Sequence, residues 1–476
     1  MLPVVPPGAG NSPYDGVSSF AGAALLVSLE RLAREGWLHR SELGAPPSLA
    51  GSRVCYPRAR AFREPRLRLA CERFIGTRAG RAALERYLER NQSWLDDYAL
   101  FRALKQQHRQ SVWTDWEPAL RSRRPAAVMR ARRQLAAEIR YQVFLQYQFD
   151  RQWSALRATC RRLGITLLGD LPMFVSHDSA DVWANPELFL LDRRGHRIAV
   201  AGVPPDAFSR TGQLWGNPLY RWKRMQQSGF AWHLARIRRN LRWYDVVRLD
   251  HFIGLYRCWR VDARARTARR GRFVRVPGDK LLTDLRRALG GLPFVAEDLG
   301  LMIPEVHALR DQFGLPGMRV LQFGFDADGG RLHQPHRYPP CSVAYTGTHD
   351  NDTLVGWIRG ASSQRGARAR RQVRERRRRV LRYAGSDGRE IHWDLIRVVL
   401  MSAANTTVFP VQDLLGLGCR ARMNRPGTAS GNWEWRLRSD ELTPHIAERL
   451  GLLCEDYERT GGAAGLSSNA ASRQRD

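Results

Sequence analysis

Lysine is almost absent from this chain: Lys105, Lys223 and Lys280 are the only three among 77 basic residues, and arginine supplies the rest. The net charge of +31 is therefore a weak nucleic-acid signal. The imbalance reads as a codon preference for arginine, and no recognition motif accompanies it. The densest run, RGARARRQVRERRRRVLRY from Arg365 to Tyr383, predicts a helix with a solvated basic face, where polyanion binding by charge alone stays open. No apolar run approaches the roughly 20 residues of a membrane span. The opening MLPVVPPGAG predicts no secretory signal, lacking a basic region and a long apolar one. Seven scattered cysteines form no C-x-x-C pair, which argues against a disulfide framework or a zinc site and fits thiols in a reducing cytoplasm. A phosphate-binding loop, a G-x-S-x-G elbow and an H-E-x-x-H or EF-hand spacing are all lacking.

What remains is ample for a packed core: 476 residues with 43% hydrophobic content. From about Ala21 to Trp153 apolar residues recur at spacings of three and four, predicting a largely helical insertion at roughly 30–150. From Ile165 the pattern becomes strand, helix, strand, helix, the mark of a parallel α/β fold. The apolar runs ITLLGDLPMFV, WYDVVRLDHF, LPFVAEDLG, MRVLQFGF and SVAYTGTHDND read as strands. Asp170, Asp250, Glu297 and Asp350 fall at their carboxyl ends, where open sheets and barrels place active sites. Four acids in order favour a barrel mouth lined with carboxylates. Residues 1–455 are expected to form the catalytic barrel, and the Gly/Ala/Ser-rich stretch 456–476 a disordered tail.

In VVRLDHF, Arg248 and Asp250 lie two apart on a strand and so share a face. A plain buried ion pair explains this as well as a working site does. Metal binding is a further alternative for the acids, since HDSAD (His177 to Asp181) and THDND (Thr348 to Asp352) are rich enough to hold a structural ion. Glycosidic chemistry fits the pairing better. Retaining transfer needs an ionised carboxylate as nucleophile and a protonated carboxyl as acid, about 5–5.5 Å apart. The cation of Arg248 favours the charged form of Asp250, and the apolar FVA before Glu297 favours a neutral one.

At these residues the chain resembles the amylomaltases, the 4-α-glucanotransferases or disproportionating enzymes of the α-amylase-like clan. The matching strings are SPYDGVSSFAG, GDLPMFVSHDSADVWANPELF, GVPPDAFSRTGQLWGNPLYRW, VVRLDHFIG, VAEDLG, GLPGMRVLQF, YTGTHDNDT and RMNRPGTASGNWEWR, in family order from about Leu2 to Arg436. The resemblance implies a (β/α)8 TIM-type barrel with helical insertions, and a cytoplasmic, cofactor-free and metal-free transferase that moves α-1,4-glucan segments to glucose or another maltodextrin, with no nucleic-acid or membrane partner. It implies Asp250 as nucleophile, Glu297 as general acid/base and Asp350 as the third acid. Arg248, His349 and Asp170 fall on supporting sugar-binding positions.

The resemblance also makes Gly202–Pro218 a lid, with Phe208 and Trp215 facing sugars or simply packing the loop. Tyr14 matches a glucan-contacting tyrosine, with core packing as the alternative. His251 is equally a substrate contact or a supporting histidine. Ala207 stands where many members carry an aromatic residue, so a looser lid and more hydrolysis are expected. Members also carry a first strand and helix ahead of LPVVPPGAGNSPY, so the N-terminal element is expected to be missing and Met1 to be internal. Two other readings follow: an α-glucan hydrolase, and an inactive remnant with a polyanion-binding surface.

Overall fold

A computed structural model describes residues 1–44, 51–205, 209–300, 303–325, 330–360 and 366–460. The chain divides into two compact units, one of Met1–Ser48 with Cys55–Gly291, the other of Leu49–Val54 with Leu292–Asp476.

In the first unit, the helices Tyr56–Gly76, Arg78–Gln107 and Ala136–Arg162 carry the long 3.6-periodic segments. Thr77 separates the first two, its hydroxyl accepting from the Gly80 amide at 3.0 Å as an N-cap. Aromatic side chains close the seam between the helices: Phe74 meets Phe144 at 5.5 Å and Tyr87 meets Tyr147 at 5.5 Å. The N-terminal segment is fastened to this layer by side-chain amides. Gln146 bonds both the N–H and C=O of Gly22, and Gln152 does the same at Ser28.

Two strands, β1 (Leu168–Leu171) and β4 (Val246–Leu249), pair in parallel, with Asp170 opposite Arg248. Gly169 in β1 is required by close approach, because a Cβ there would meet the Tyr244 ring at 2.1 Å. Helix Ala231–Trp243 leads into β4. Its Arg239 grips Asp150 with two 2.8 Å bonds, and Tyr87 donates to the same carboxylate at 2.7 Å. Replacing Asp150 by Ala strands a buried guanidinium, and thermal unfolding should show a loss of about 3 kcal/mol or more. Unchanged stability would mean that this junction is not held by charge.

Two strands between β1 and β4 and two after β4 form a feature the periodicity did not suggest, a four-stranded antiparallel sheet in the order β3-β2-β5-β6. Its strands are β2 (Ala199–Val203), β3 (Gln213–Pro218), β5 (Arg257–Asp262) and β6 (Gly271–Arg275). The expected lid Gly202–Pro218 is therefore not loop throughout: Gln213, Leu214 and Pro218 of β3 pair with Val203, Gly202 and Val200 of β2, across a register shift. Ala207 and Phe208 lie outside the described residues.

The second unit carries β7 (Phe294–Ala296), β8 (Gly317–Val320), β9 (Ser342–Tyr345) and β10 (Thr406–Val408), parallel in that order. Helices Pro304–Gln312, Leu354–Arg359 and Ile391–Leu400 alternate with them. The arginine-rich run forms the helix Ala367–Ala384, anchored by buried Val380 and Ala384 with Leu381 and Tyr383 against the core. Arg376 lies over the Trp357 ring at 4.9 Å, so one arginine of this run packs instead of facing water. The tail from 461 onward lies outside the described residues. None of the described helices is long and apolar enough to cross a membrane.

Candidate active site

The pairing of β1 with β4 puts Asp170, Arg248 and, two residues on, Asp250 on one face. Arg248 Nη2 donates to Asp170 Oδ2 and to Asp250 Oδ1, each at 2.8 Å. Tyr14, from the N-terminal turn, donates its hydroxyl to the same Asp170 oxygen at 2.6 Å and stands 3.4 Å from Arg248. That turn is pinned by the Pro7–Gly16 bridge and by Gly8 N–H bonding Asp15 C=O at 2.7 Å. Burial and the neighbouring Asp170 charge push the Tyr14 phenol well above its usual range, so it stays a donor. The network is not a simple ion pair. One cation serves two carboxylates through charge-assisted bonds, with Asp170 buried and Asp250 half-buried at its accessible edge. Asp170 Oδ1 is buried with no hydrogen-bond partner among the described residues, and Asp170 lines a cleft together with Tyr14, Phe174 and Asn240.

Beside Asp250, His251 adopts a left-handed backbone (φ 51°, ψ 53°), a conformation costing about 1–2 kcal/mol for a non-glycine residue. Trp215 on β3 stands edge-on to its ring at 4.7 Å, and Phe174 backs both. Burial pushes the imidazole down to about 4, so His251 is neutral at pH 7. Trp215 keeps 37% of its surface open, leaving an aromatic surface beside His251, the residue that follows Asp250.

In the second unit, Glu297 directly follows the buried Phe294, Val295 and Ala296 and is itself half-buried. The adjoining Asp298 is the anchor: it accepts from Met318 N–H at 2.7 Å and pairs with Arg310 and with Arg319 at 3.3 Å. Asp298 thereby locks β7 to β8 immediately beside Glu297. Asp350 departs from expectation. β9 ends at Tyr345, so this acid sits on an exposed loop beyond the strand end. Asn424 Nδ2 donates to Asp350 Oδ1 at 2.6 Å, Arg422 Nη2 donates to its backbone carbonyl at 2.6 Å, and His349 Nε2 lies 3.4 Å away. The Trp433 ring flanks His349 at 5.7 Å.

Arg422, Asn424 and Trp433 were not singled out from sequence, although RMNRPGTASGNWEWR contains all three. Their distance along the chain from Asp350 leaves no spacing to read.

The acids of HDSAD have structural partners. Asp178 pairs with Lys105 at 2.6 Å, and Asp181 accepts from Ser19 N–H at 2.7 Å. Among the described residues no three His, Cys, Asp or Glu side chains converge as a metal site would need.

The chain as a whole is similar to known proteins. A family profile described as 4-alpha-glucanotransferase matches residues 1–443. The 4-alpha-glucanotransferase of Thermus thermophilus is 44% identical, over 96% of this chain and 91% of its own. That of Synechocystis is 44% identical, over 96% and 90%. A solved amylomaltase from Streptococcus agalactiae, in complex with acarbose, superposes with a TM-score of 0.90 at 33% identity, covering 96% of this chain and 91% of that one. The fold is that of a TIM-barrel-type enzyme, and the chain belongs to the 4-alpha-glucanotransferase family.

Proposed function

We propose that the enzyme transfers α-1,4-glucan segments with retention, through a covalent glycosyl-enzyme on Asp250. The observation that carries this reading is the Arg248 guanidinium placed 2.8 Å from both Asp170 and Asp250. Asp250 attacks the anomeric carbon while Glu297 gives its proton to the departing glycosidic oxygen. Glu297 then takes the proton of an acceptor hydroxyl, which attacks the same carbon and frees Asp250. Two carboxyl groups complete the proton and electron balance, so the reaction calls for no cofactor or metal. Asp350, His349, Asp170 and Tyr14 hold sugar hydroxyls. Tyr14 and Asp170 line one cleft, and the solved Streptococcus relative in complex with acarbose supports a saccharide-like ligand. Maltodextrins as donors, glucose as acceptor and a cytoplasmic setting complete the reading.

The test is product chromatography after incubation with maltotriose. Glucose with a ladder of longer maltodextrins supports transfer. Glucose and maltose alone establish an α-glucan hydrolase instead.

Transfer requires an acceptor sugar to outcompete water, and Trp215 offers the aromatic face for it. Trp215→Ala should lower the ratio of transfer to hydrolysis roughly 3- to 10-fold on maltotriose, the worth of one aromatic contact. An unchanged ratio assigns Trp215 to packing against His251.

A further inference from the structure

We propose that Asp413 is a positioning residue for the transfer reaction: its single buried carboxylate fastens both ends of the loop that carries His349 and Asp350. The inference rests on the reading that Asp350 acts on the sugar. Asp413 lies on the short helix Val411–Leu414 and is 1% exposed. At the near end of the loop, Thr346, the residue after β9, donates its hydroxyl to Asp413 Oδ2 at 2.7 Å. At the far end, Leu354, the first residue of helix Leu354–Arg359, donates its N–H to Asp413 Oδ1 at 2.8 Å. Between these two ties the loop closes on itself. Asn351 Oδ1 accepts from the amide and hydroxyl of Thr348 at 2.8 and 2.9 Å, and Gln322 donates to the Asp352 carbonyl at 2.7 Å.

The same short helix acts on Asp350 from the other side. Gln412 Nε2 donates to the Ala421 carbonyl at 3.2 Å, and the chain continues directly into Arg422 and Asn424, which bond Asp350. One turn of helix thus sets the loop bearing Asp350 and the segment that orients it.

The choice of a carboxylate here is costly and therefore informative. No salt-bridge partner faces Asp413 among the described residues; the nearby charge is Asp352, of like sign, and burial pushes Asp413 up to about 6. A fold needing only bulk would place an apolar residue at this position. A carboxylate offers two divergent acceptors, which is what two donors at opposite ends of a loop need. Asparagine retains both ties, its carbonyl accepting from Leu354 N–H and its amide donating to the Thr346 hydroxyl. Alanine retains neither.

The test measures kcat and KM on maltotriose, thermal unfolding, and amide hydrogen exchange across 346–354, in Asp413→Ala, Asp413→Asn and Thr346→Val, with Asp350→Asn alongside. Asp413→Ala should lower kcat about 10- to 100-fold, the loss typical of a misplaced group. It should also speed exchange at Leu354. Thr346→Val should give a smaller loss of the same kind, and Asp413→Asn should stay within about threefold of the parent. Should the alanine variant fail to fold, Thr346→Val decides. If the folded variants keep kcat within twofold with exchange at Leu354 unchanged, or lose only thermal stability, the positioning role is wrong while Asp350 stands. If Asp350→Asn keeps full activity, the reading of Asp350 itself fails, and this inference with it.

Discussion

Replacing Asp250 by Asn should lower maltotriose disproportionation by about 10^5-fold while leaving the protein folded. The size follows from removing a nucleophile that acts as part of a unit. An amide cannot form the glycosyl ester, and no neighbouring group replaces it. The fold should survive because the amide of asparagine keeps an oxygen that can still accept from Arg248. Arg248 keeps Asp170 at 2.8 Å, and Tyr14 still donates to Asp170 at 2.6 Å. The parallel pairing of β1 with β4 is backbone throughout. Initial rates and a thermal melt on the same preparation separate chemistry from unfolding. A variant retaining a tenth of the parent rate would place the nucleophile elsewhere.

Glu297→Gln should cost roughly 10^2- to 10^4-fold, the usual worth of a positioned general acid–base. Its signature is a dependence on the leaving group. With maltosyl fluoride, whose fluoride departs without a proton, the first step should run near the parent rate. The second step, which needs a base to activate the acceptor hydroxyl, should then be slow. Azide needs no deprotonation and should restore turnover. Asp298, which is left intact, carries the bonds to Met318 N–H, Arg310 and Arg319 that hold β7 to β8. Equal losses with maltotriose and maltosyl fluoride would exclude Glu297 as the proton donor.

The parts of this enzyme most legible in its sequence are those built from contiguous apolar runs. β1, β4, β7 and β9 fall within strings read as strands and β8 starts one residue ahead of its string, because buried parallel strands are nearly continuous in hydrophobic residues. The antiparallel sheet was not legible. RCWRVD interleaves half-buried arginines with two buried positions and GRFVR has none buried, so neither alternation nor a solid apolar run stands out. The group of Arg248, Asp170 and Asp250 was legible because two of its members lie two apart on one strand and the third ends a similar strand. The surroundings of Asp350 were not. Its partners Arg422 and Asn424 lie 72 and 74 positions along the chain, and Asp413 lies 67 beyond Thr346. Reading Asp350 as a strand end also misjudged its setting, because the turn from Thr346 to Thr353 carries it into solvent.

The measurement that bears most directly on the mechanism is peptide mass mapping of the Glu297→Gln variant, quenched in acid during turnover of maltosyl fluoride. The mechanism predicts a maltosyl adduct on the peptide spanning Arg248 to Phe252, localised to Asp250 on fragmentation and lost on brief exposure to azide before the quench. An adduct on Asp170 or Asp350, or steady turnover with no adduct at all, would contradict a covalent transfer through Asp250.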